Sequence, residues 1–217
     1  MPYEWTDLTT CLNDHKDFLL SLPLITLSAL TLSPSEGETV HLSVNSVTSC
    51  PYCTGLHGNL GRMAGLNSDA IENAKSDSEC ASKAGEHGGI ALYAREFAFK
   101  GYDKNGENIL AEKMGSLKAK CVTALCQFLK WGSYGGNTIN STLSSPTPFN
   151  LVFTLYYGPL FVLVKVVSGI LSVMPTNGPK AINIVMSLAL PIIAGFWIVP
   201  VGILGVFWPV SAGGKKD

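Results

Sequence analysis

The charged residues of this chain are unevenly distributed along the sequence, and this limits its fold more than any other feature. Only 14% of the 217 residues are charged, and the segment from Phe149 to Val210 contains just two of the 31. A soluble domain carries about 25% charged residues on average and spreads them over its surface. We therefore predict a polar domain, residues 1–145, followed by a membrane-anchoring segment with a short tail, residues 146–217.

The apolar part has the length and composition of two transmembrane helices. Two apolar runs, Phe149–Met174 and Ala181–Val210, each exceed the ~20 residues needed to cross a bilayer. A soluble core is the alternative, but the second run has no polar face to present to water. We expect an integral protein of an organellar membrane (thylakoid or mitochondrial inner membrane), with residues 1–145 and the C-terminus on the same side.

Composition excludes several other classes of protein. Six cysteines in 217 residues are too few for a secreted disulfide scaffold, and an apolar content of 47% is too high for a disordered chain. The polar part has more acidic than basic residues and no basic stripe. This balance argues against nucleic-acid binding.

The polar part is predicted to be all-α. Its clearest helix start is at Ser33, which can act as the N-cap, with Pro34 at the first helical position and Glu36 placed to complete a capping box. Three further segments with apolar residues at helical spacing are 51–65, 89–100 and 114–131.

The segment most indicative of chemistry is Cys50-Pro51-Tyr52-Cys53 with a histidine at position 57. The start of a helix places the first sulfur near unpaired backbone N–H groups, which favour its thiolate form. Cys53 and His57 are four residues apart on one helix face, so the imidazole can accept the thiol proton. Glu38, on the preceding helix, can orient His57 as the third member of a triad does.

Other interpretations of this motif remain open. A zinc site needs four ligands, and the sequence has no second CxxC or HxxxH, so we expect no metal. A thioredoxin-type site needs a βαβ context, which is absent. An inert pair of buried cysteines is a further possibility. His41, three residues after Glu38, can pair with that carboxylate, but we expect it to be a partly exposed surface residue.

The segment LSPSEGETVHLSVNSVTSCPYCTGLHGNLGRMAGLN resembles the signature of the carboxymuconolactone decarboxylase/alkylhydroperoxidase D family. That signature is a glutamate, a Cys-x-x-Cys twelve residues later and a histidine four residues beyond, on which Glu38, Cys50, Cys53 and His57 fall. The later stretch KAKCVTALCQFLKWGSYGGNTINSTL is loosely similar to the closing helix of the family. The resemblance covers about residues 5–145.

The resemblance implies an all-helical antioxidant domain that forms homo-oligomers, with four catalytic residues. Cys53 would be the peroxidatic thiolate, deprotonated by His57 with Glu38 behind it. Attack on a hydroperoxide would give a sulfenic acid, which Cys50 would resolve as a disulfide. A lipoyl-type or other dithiol reductant would close the cycle, and no other cofactor is required.

The apolar part departs from this family, whose members are ordinarily soluble. Lys165 within the first run, together with the glycines and prolines, suggests packing against other proteins as well as membrane lipid. We therefore expect an accessory or structural subunit of a large membrane complex, photosynthetic or respiratory, with pigments or lipids bound to the apolar part in the photosynthetic case. The alternative is a membrane-anchored thiol-dependent peroxidase or disulfide reductase that removes hydroperoxides.

Overall fold

A computed structural model describes residues 3–76, 85–173 and 180–207, and these contain helices but no strand. Most side chains described in the last helix lie from Ile192 onward. The all-α prediction is confirmed for the described residues. Their nine α-helices are α1 (Leu8–Thr31), α2 (Pro34–Thr48), α3 (Pro51–Met63), α4 (Ser68–Lys75), α5 (Gly88–Lys100), α6 (Lys104–Met114), α7 (Ser116–Thr142), α8 (Pro148–Ser172) and α9 (Lys180–Phe207).

The predicted start of α2 is confirmed in detail. The Ser33 hydroxyl accepts the backbone N–H of Glu36 at 3.2 Å, and the Glu36 carboxylate accepts the backbone N–H of Ser33 at 2.6 Å. Pro34 occupies the first turn, where its missing N–H costs no hydrogen bond. This capping box fixes where α2 begins and therefore which of its residues face α3.

The helices of the polar part pack around α2 and α7. Both contribute apolar side chains to one buried cluster, to which α5 adds an aromatic pair. The cluster includes Val40, Val44, Tyr93, Phe97, Val122, Leu125 and Leu129. Burial of this surface is the main force that holds the all-α part together.

A second buried cluster crosses the predicted boundary near residue 145. It joins side chains of α1, α7 and the segment before α1 to side chains of α8 and of the described part of α9. Its members include Trp5, Phe18, Trp131, Phe153, Tyr157, Phe161 and Ile198. Within it the Tyr157 hydroxyl lies 2.7 Å from His15 Nε2. The division into residues 1–145 and 146–217 stays a prediction, and it does not coincide with a break in packing.

Helix α9 approaches α1 closely through glycines. A Cβ atom placed on Gly202 would lie 3.2 Å from the backbone oxygen of His15, and one on Gly205 would clash with the backbone of Leu12. Small residues let helix backbones approach in this way, as is usual between helices in membranes.

One helix of the described residues is long and apolar enough to cross a membrane, so the prediction of two such helices is corrected to one. Pro148–Ser172 has a mean hydropathy of 1.8, and only 22% of its most apolar window is buried. In α9 the described apolar stretch is Ile192–Phe207.

Candidate dithiol site

The turn between α2 and α3 sets the position of the first cysteine. Ser49 adopts a left-handed conformation (φ 55°) that reverses the chain. The Asn45 side chain then accepts the backbone N–H of Cys50 at 3.0 Å and donates to the Thr54 hydroxyl at 2.6 Å. These contacts hold Cys50 at the N-cap of α3, immediately before Pro51.

The two cysteines of the motif form a close, reduced pair. Their Sγ atoms lie 2.6 Å apart, with the Cys53 thiol donating to Cys50. Cys50 has no exposed surface, whereas Cys53 is half-buried and lines a cavity. The pair therefore has one enclosed sulfur and one sulfur that a ligand in the cavity can reach.

The pKa values of the two thiols are shifted in opposite directions. The hydrogen bond from Cys53, assisted by the backbone N–H groups of Cys53 and Tyr52, lowers the pKa of Cys50 despite burial. The same thiol hydrogen bond, burial and the neighbouring Cys50 charge raise the pKa of Cys53, and the Ser133 hydroxyl, 4.0 Å from its sulfur, only partly opposes them.

These shifts agree with one expectation and differ from another. The helix start favours the thiolate of the first cysteine, as predicted from the position of Cys50. The resemblance implied a deprotonated Cys53; the pKa of Cys53 is raised here, and its role as the attacking thiolate stays a prediction. The hydrogen bond between the two sulfurs is the largest cause of both shifts, and the backbone N–H groups of Cys53 and Tyr52 add to the lowering of the pKa of Cys50.

The predicted contact between Glu38 and His57 is present. Glu38 Oε2 lies 3.0 Å from His57 Nδ1, and both side chains are buried. Burial alone would raise the pKa of Glu38, but the facing imidazoles of His41 and His57 lower it to about 2. The carboxylate thus fixes the orientation of the His57 ring, as expected for the third member of a triad.

Sequence reasoning misplaced His41. We expected it to be partly exposed, but it is only 7% exposed and its Nδ1 lies 3.3 Å from Glu38 Oε2. Helix α2 is covered by neighbours on several sides, so its buried face is wider than that of a surface helix. The signal available in the sequence was the Glu-x-x-His spacing, which places the two side chains on one helix face.

The site opens on a cavity of about 100 Å³ between α1, α2, α3, α7 and the two C-terminal helices. Its polar wall consists of Glu38, His41, Cys53 and His57, together with Ser28 and Ser33. The rest of the lining is largely apolar and includes Leu32, Phe128, Trp131, Leu160, Phe161 and Val164. In the described part of the chain no hydrogen bond joins the His57 ring to either sulfur, so transfer of the thiol proton to His57 stays a prediction.

Helix α7 packs directly on the cysteine pair through a glycine. A Cβ atom on Gly136 would lie 2.7 Å from Cys50 Sγ and 3.2 Å from the Tyr52 ring. One turn earlier, a Cβ on Gly132 would meet nothing within 4 Å. A residue without a side chain is therefore required at Gly136 for α7 to close the site.

The remaining described cysteines are core residues. Cys11, Cys121 and Cys126 are all buried, and burial raises the pKa of Cys126 well above the ordinary range. Cys80 lies outside the described residues.

Comparison of the chain with protein-family models, with curated proteins and with solved structures finds no match in any of the three. The resemblance to the alkylhydroperoxidase D family therefore depends on the motif residues alone and stays a prediction.

Proposed function

We propose that this protein is a membrane-associated dithiol oxidoreductase that reduces hydroperoxides through Cys50 and Cys53. The observation that carries the proposal is the pair of sulfurs, 2.6 Å apart, of which Cys53 lines an apolar cavity. Two adjacent thiols, one with a lowered pKa, are what a peroxide-reducing site needs to form and resolve a sulfenic acid.

The proposed reaction begins when Cys53 passes its proton to the Cys50 thiolate. The Cys53 thiolate then attacks the terminal oxygen of the hydroperoxide, the O–O bond breaks, and the alkoxide takes a proton from solvent to leave as an alcohol. The Cys50 thiol attacks the resulting sulfenic acid, which releases water and forms the Cys50–Cys53 disulfide. An external dithiol reduces that disulfide by thiol–disulfide exchange.

The cavity supports an apolar alkyl hydroperoxide as the substrate. Its polar lining consists of the site residues with Ser28 and Ser33, and side chains of α8 contribute to its apolar remainder. Such a lining binds the hydrocarbon part of a substrate and keeps bulk water from the sulfurs.

A turnover assay tests this function. The full-length protein in detergent is given cumene hydroperoxide and dihydrolipoamide, and loss of peroxide is followed. We expect Cys53→Ser to abolish turnover and Cys50→Ser to stop after one oxidation, while the matched control Cys126→Ser, a buried cysteine outside the site, retains activity. Equal rates in all four proteins would contradict the proposal.

We also propose, as a second function, that the protein is a subunit of a larger membrane complex. The supporting observation is the outward face of α8, whose exposed apolar side chains require lipid or protein to cover them. These side chains include Leu151, Val152, Leu155, Val162, Leu163, Val166 and Ile170.

Native electrophoresis after mild detergent extraction of the source membrane tests the second function. Migration within one large complex at fixed stoichiometry supports a subunit role, and mass spectrometry of that band shows whether pigments or lipids accompany it. Migration alone or as a small homo-oligomer contradicts that role and leaves the dithiol chemistry as the principal function.

A further inference from the structure

The dithiol chemistry leaves His41 unexplained. Its side chain is more than nine-tenths buried and lines the cavity, yet neither ring nitrogen has a partner with hydrogen-bond geometry. Its Nδ1 lies 3.3 Å from Glu38 Oε2, but its Nε2 has no polar partner, and a buried polar atom that has lost its contact with water without replacement is costly. A ligand that contacts His41 in the cavity would remove this cost.

His41, Glu38 and His57 bring three potential metal-ligand atoms close together. Glu38 Oε2 lies 3.3 Å from His41 Nδ1 and 3.0 Å from His57 Nδ1, and the ring centroids of the two histidines are 3.9 Å apart. One donor atom from each of the three residues falls within 4.8 Å of the others.

These separations match those between the ligands of a metal ion. With metal–ligand bonds of about 2.0–2.1 Å, ligand atoms are roughly 3 Å apart at right angles and roughly 3.4 Å apart in a tetrahedron. The two observed distances to Glu38 Oε2 fall in this range. The histidine nitrogens lie within 4.8 Å of each other, so the two rings must move closer together where that distance exceeds the ligand spacing.

We propose that Glu38, His41 and His57 bind one divalent transition-metal ion of the zinc class. Two imidazoles and one carboxylate suit zinc, iron or cobalt, whereas magnesium and calcium prefer oxygen ligands. The remaining coordination position faces the cavity, as in metal sites that keep one position for a substrate or water. The buried Glu38 carboxylate compensates part of the positive charge.

The metal site goes beyond the proposed peroxide chemistry and would control it. An ion bound to Glu38 and His57 replaces the contact between those two side chains, and it lies in the cavity that Cys53 also lines. The site is thus a place where metal availability can affect access to the thiols.

Binding of Co²⁺ and Zn²⁺ to the full-length Cys50→Ser/Cys53→Ser variant in detergent tests the proposal, since this variant has lost the thiols most able to bind metal. We expect one ion per chain by calorimetry, Co²⁺ absorption without sulfur-to-metal charge transfer, and a rise in the midpoint of thermal unfolding. His41→Gln should weaken binding about 100-fold or more.

The control is His87→Gln, because His87 is half-buried and bonds Ser35 away from the site. Binding that is unchanged in His41→Gln and in Glu38→Gln, or binding absent from the variant without the two cysteines, would overturn the proposal. Peroxide turnover plays no part in this test, so its result is independent of the proposed function.

Discussion

The thiol of Cys53 donates a hydrogen bond to Cys50 Sγ, 2.6 Å away, at the N-terminus of α3. The backbone of the helix start stabilises charge on Cys50, while the cavity reaches Cys53. The sulfur with the lowered pKa and the sulfur that lines the cavity are therefore different residues. In the proposed reaction, a single proton transfer from Cys53 to Cys50 makes the accessible sulfur the attacking thiolate.

The first prediction concerns the pKa of Cys50. Replacing Cys53 by alanine removes the thiol that donates to Cys50, so the pKa of Cys50 should rise, and its thiolate should form only at higher pH. Titration of thiolate absorbance in the ultraviolet measures the change as a difference from the wild type. Cys126→Ser should leave the titration unaltered below pH 9, because burial already raises the pKa of Cys126 beyond that range. An unchanged Cys50 titration in Cys53→Ala would show that the backbone alone sets this pKa.

The second prediction concerns the contact between α7 and the cysteine pair. Gly136→Ala places a methyl group 2.7 Å from Cys50 Sγ, and the rigid helix backbone cannot relieve the overlap without moving the pair. We expect a loss of about 1–3 kcal/mol in the free energy of unfolding and slower disulfide formation. Gly132→Ala has free space and should be neutral or stabilising by up to about 1 kcal/mol. Equal effects in both variants would contradict this packing.

The third prediction is a loss of stability in acid caused by His15. Burial lowers the pKa of His15 to about 4, although the Cys11 carbonyl and the Asp14 carboxylate oppose the shift. The ring also accepts from Tyr157 and Trp131, which do not carry charge near neutral pH. The unfolded chain binds a proton near pH 6.5 and the folded chain does not, so stability is complete above pH 6.5 and falls between about 6.5 and 4.

The expected contribution of His15 is up to about 3 kcal/mol, measured by chemical unfolding at a series of pH values. His15→Gln should be less stable at pH 7 but should lose this part of the pH dependence. A slope in the variant as steep as that of the wild type would assign the acid sensitivity to other groups.

The fourth prediction tests whether α8 packs on the polar part, residues 1–145. Tyr157→Phe removes a buried hydrogen bond from α8 to His15 on α1 and should lower the free energy of unfolding by about 1 kcal/mol. The matched control is Tyr156→Phe, whose exposed hydroxyl donates to the Trp197 carbonyl at 3.1 Å and should cost less than about half as much. The reverse order would indicate that α8 does not pack on α1 through Tyr157.

Much of the structure of the polar part could be predicted because the sequence signals for its helices are local. The Ser33 capping box and the Cys50-Pro51 helix start act within one turn, and the contact between Glu38 and His57 follows from two adjacent helices. The position of His41 could not be predicted, because its burial depends on how many helices surround α2 rather than on its own sequence neighbours.

The directions in which the pKa values of Cys50 and Cys53 shift also depend on tertiary structure. The spacing of Cys50 and Cys53 does not reveal that their sulfurs come within 2.6 Å, and that contact, with the backbone N–H groups of Tyr52 and Cys53, lowers the pKa of Cys50. The packing of α8 on the aromatic cluster around Trp131 was likewise missed, since apolar composition indicates a preference for lipid and protein alike.

The mass of the reduced full-length protein after one equivalent of cumene hydroperoxide distinguishes a reactive dithiol from an inert pair of cysteines. For a reactive pair we expect loss of two hydrogens per chain, one alcohol formed per peroxide consumed, and a Cys50–Cys53 disulfide in the proteolytic digest. Cysteines that stay reduced, or a disulfide that forms at other cysteines at the rate of an ordinary exposed thiol, would contradict the proposed reaction.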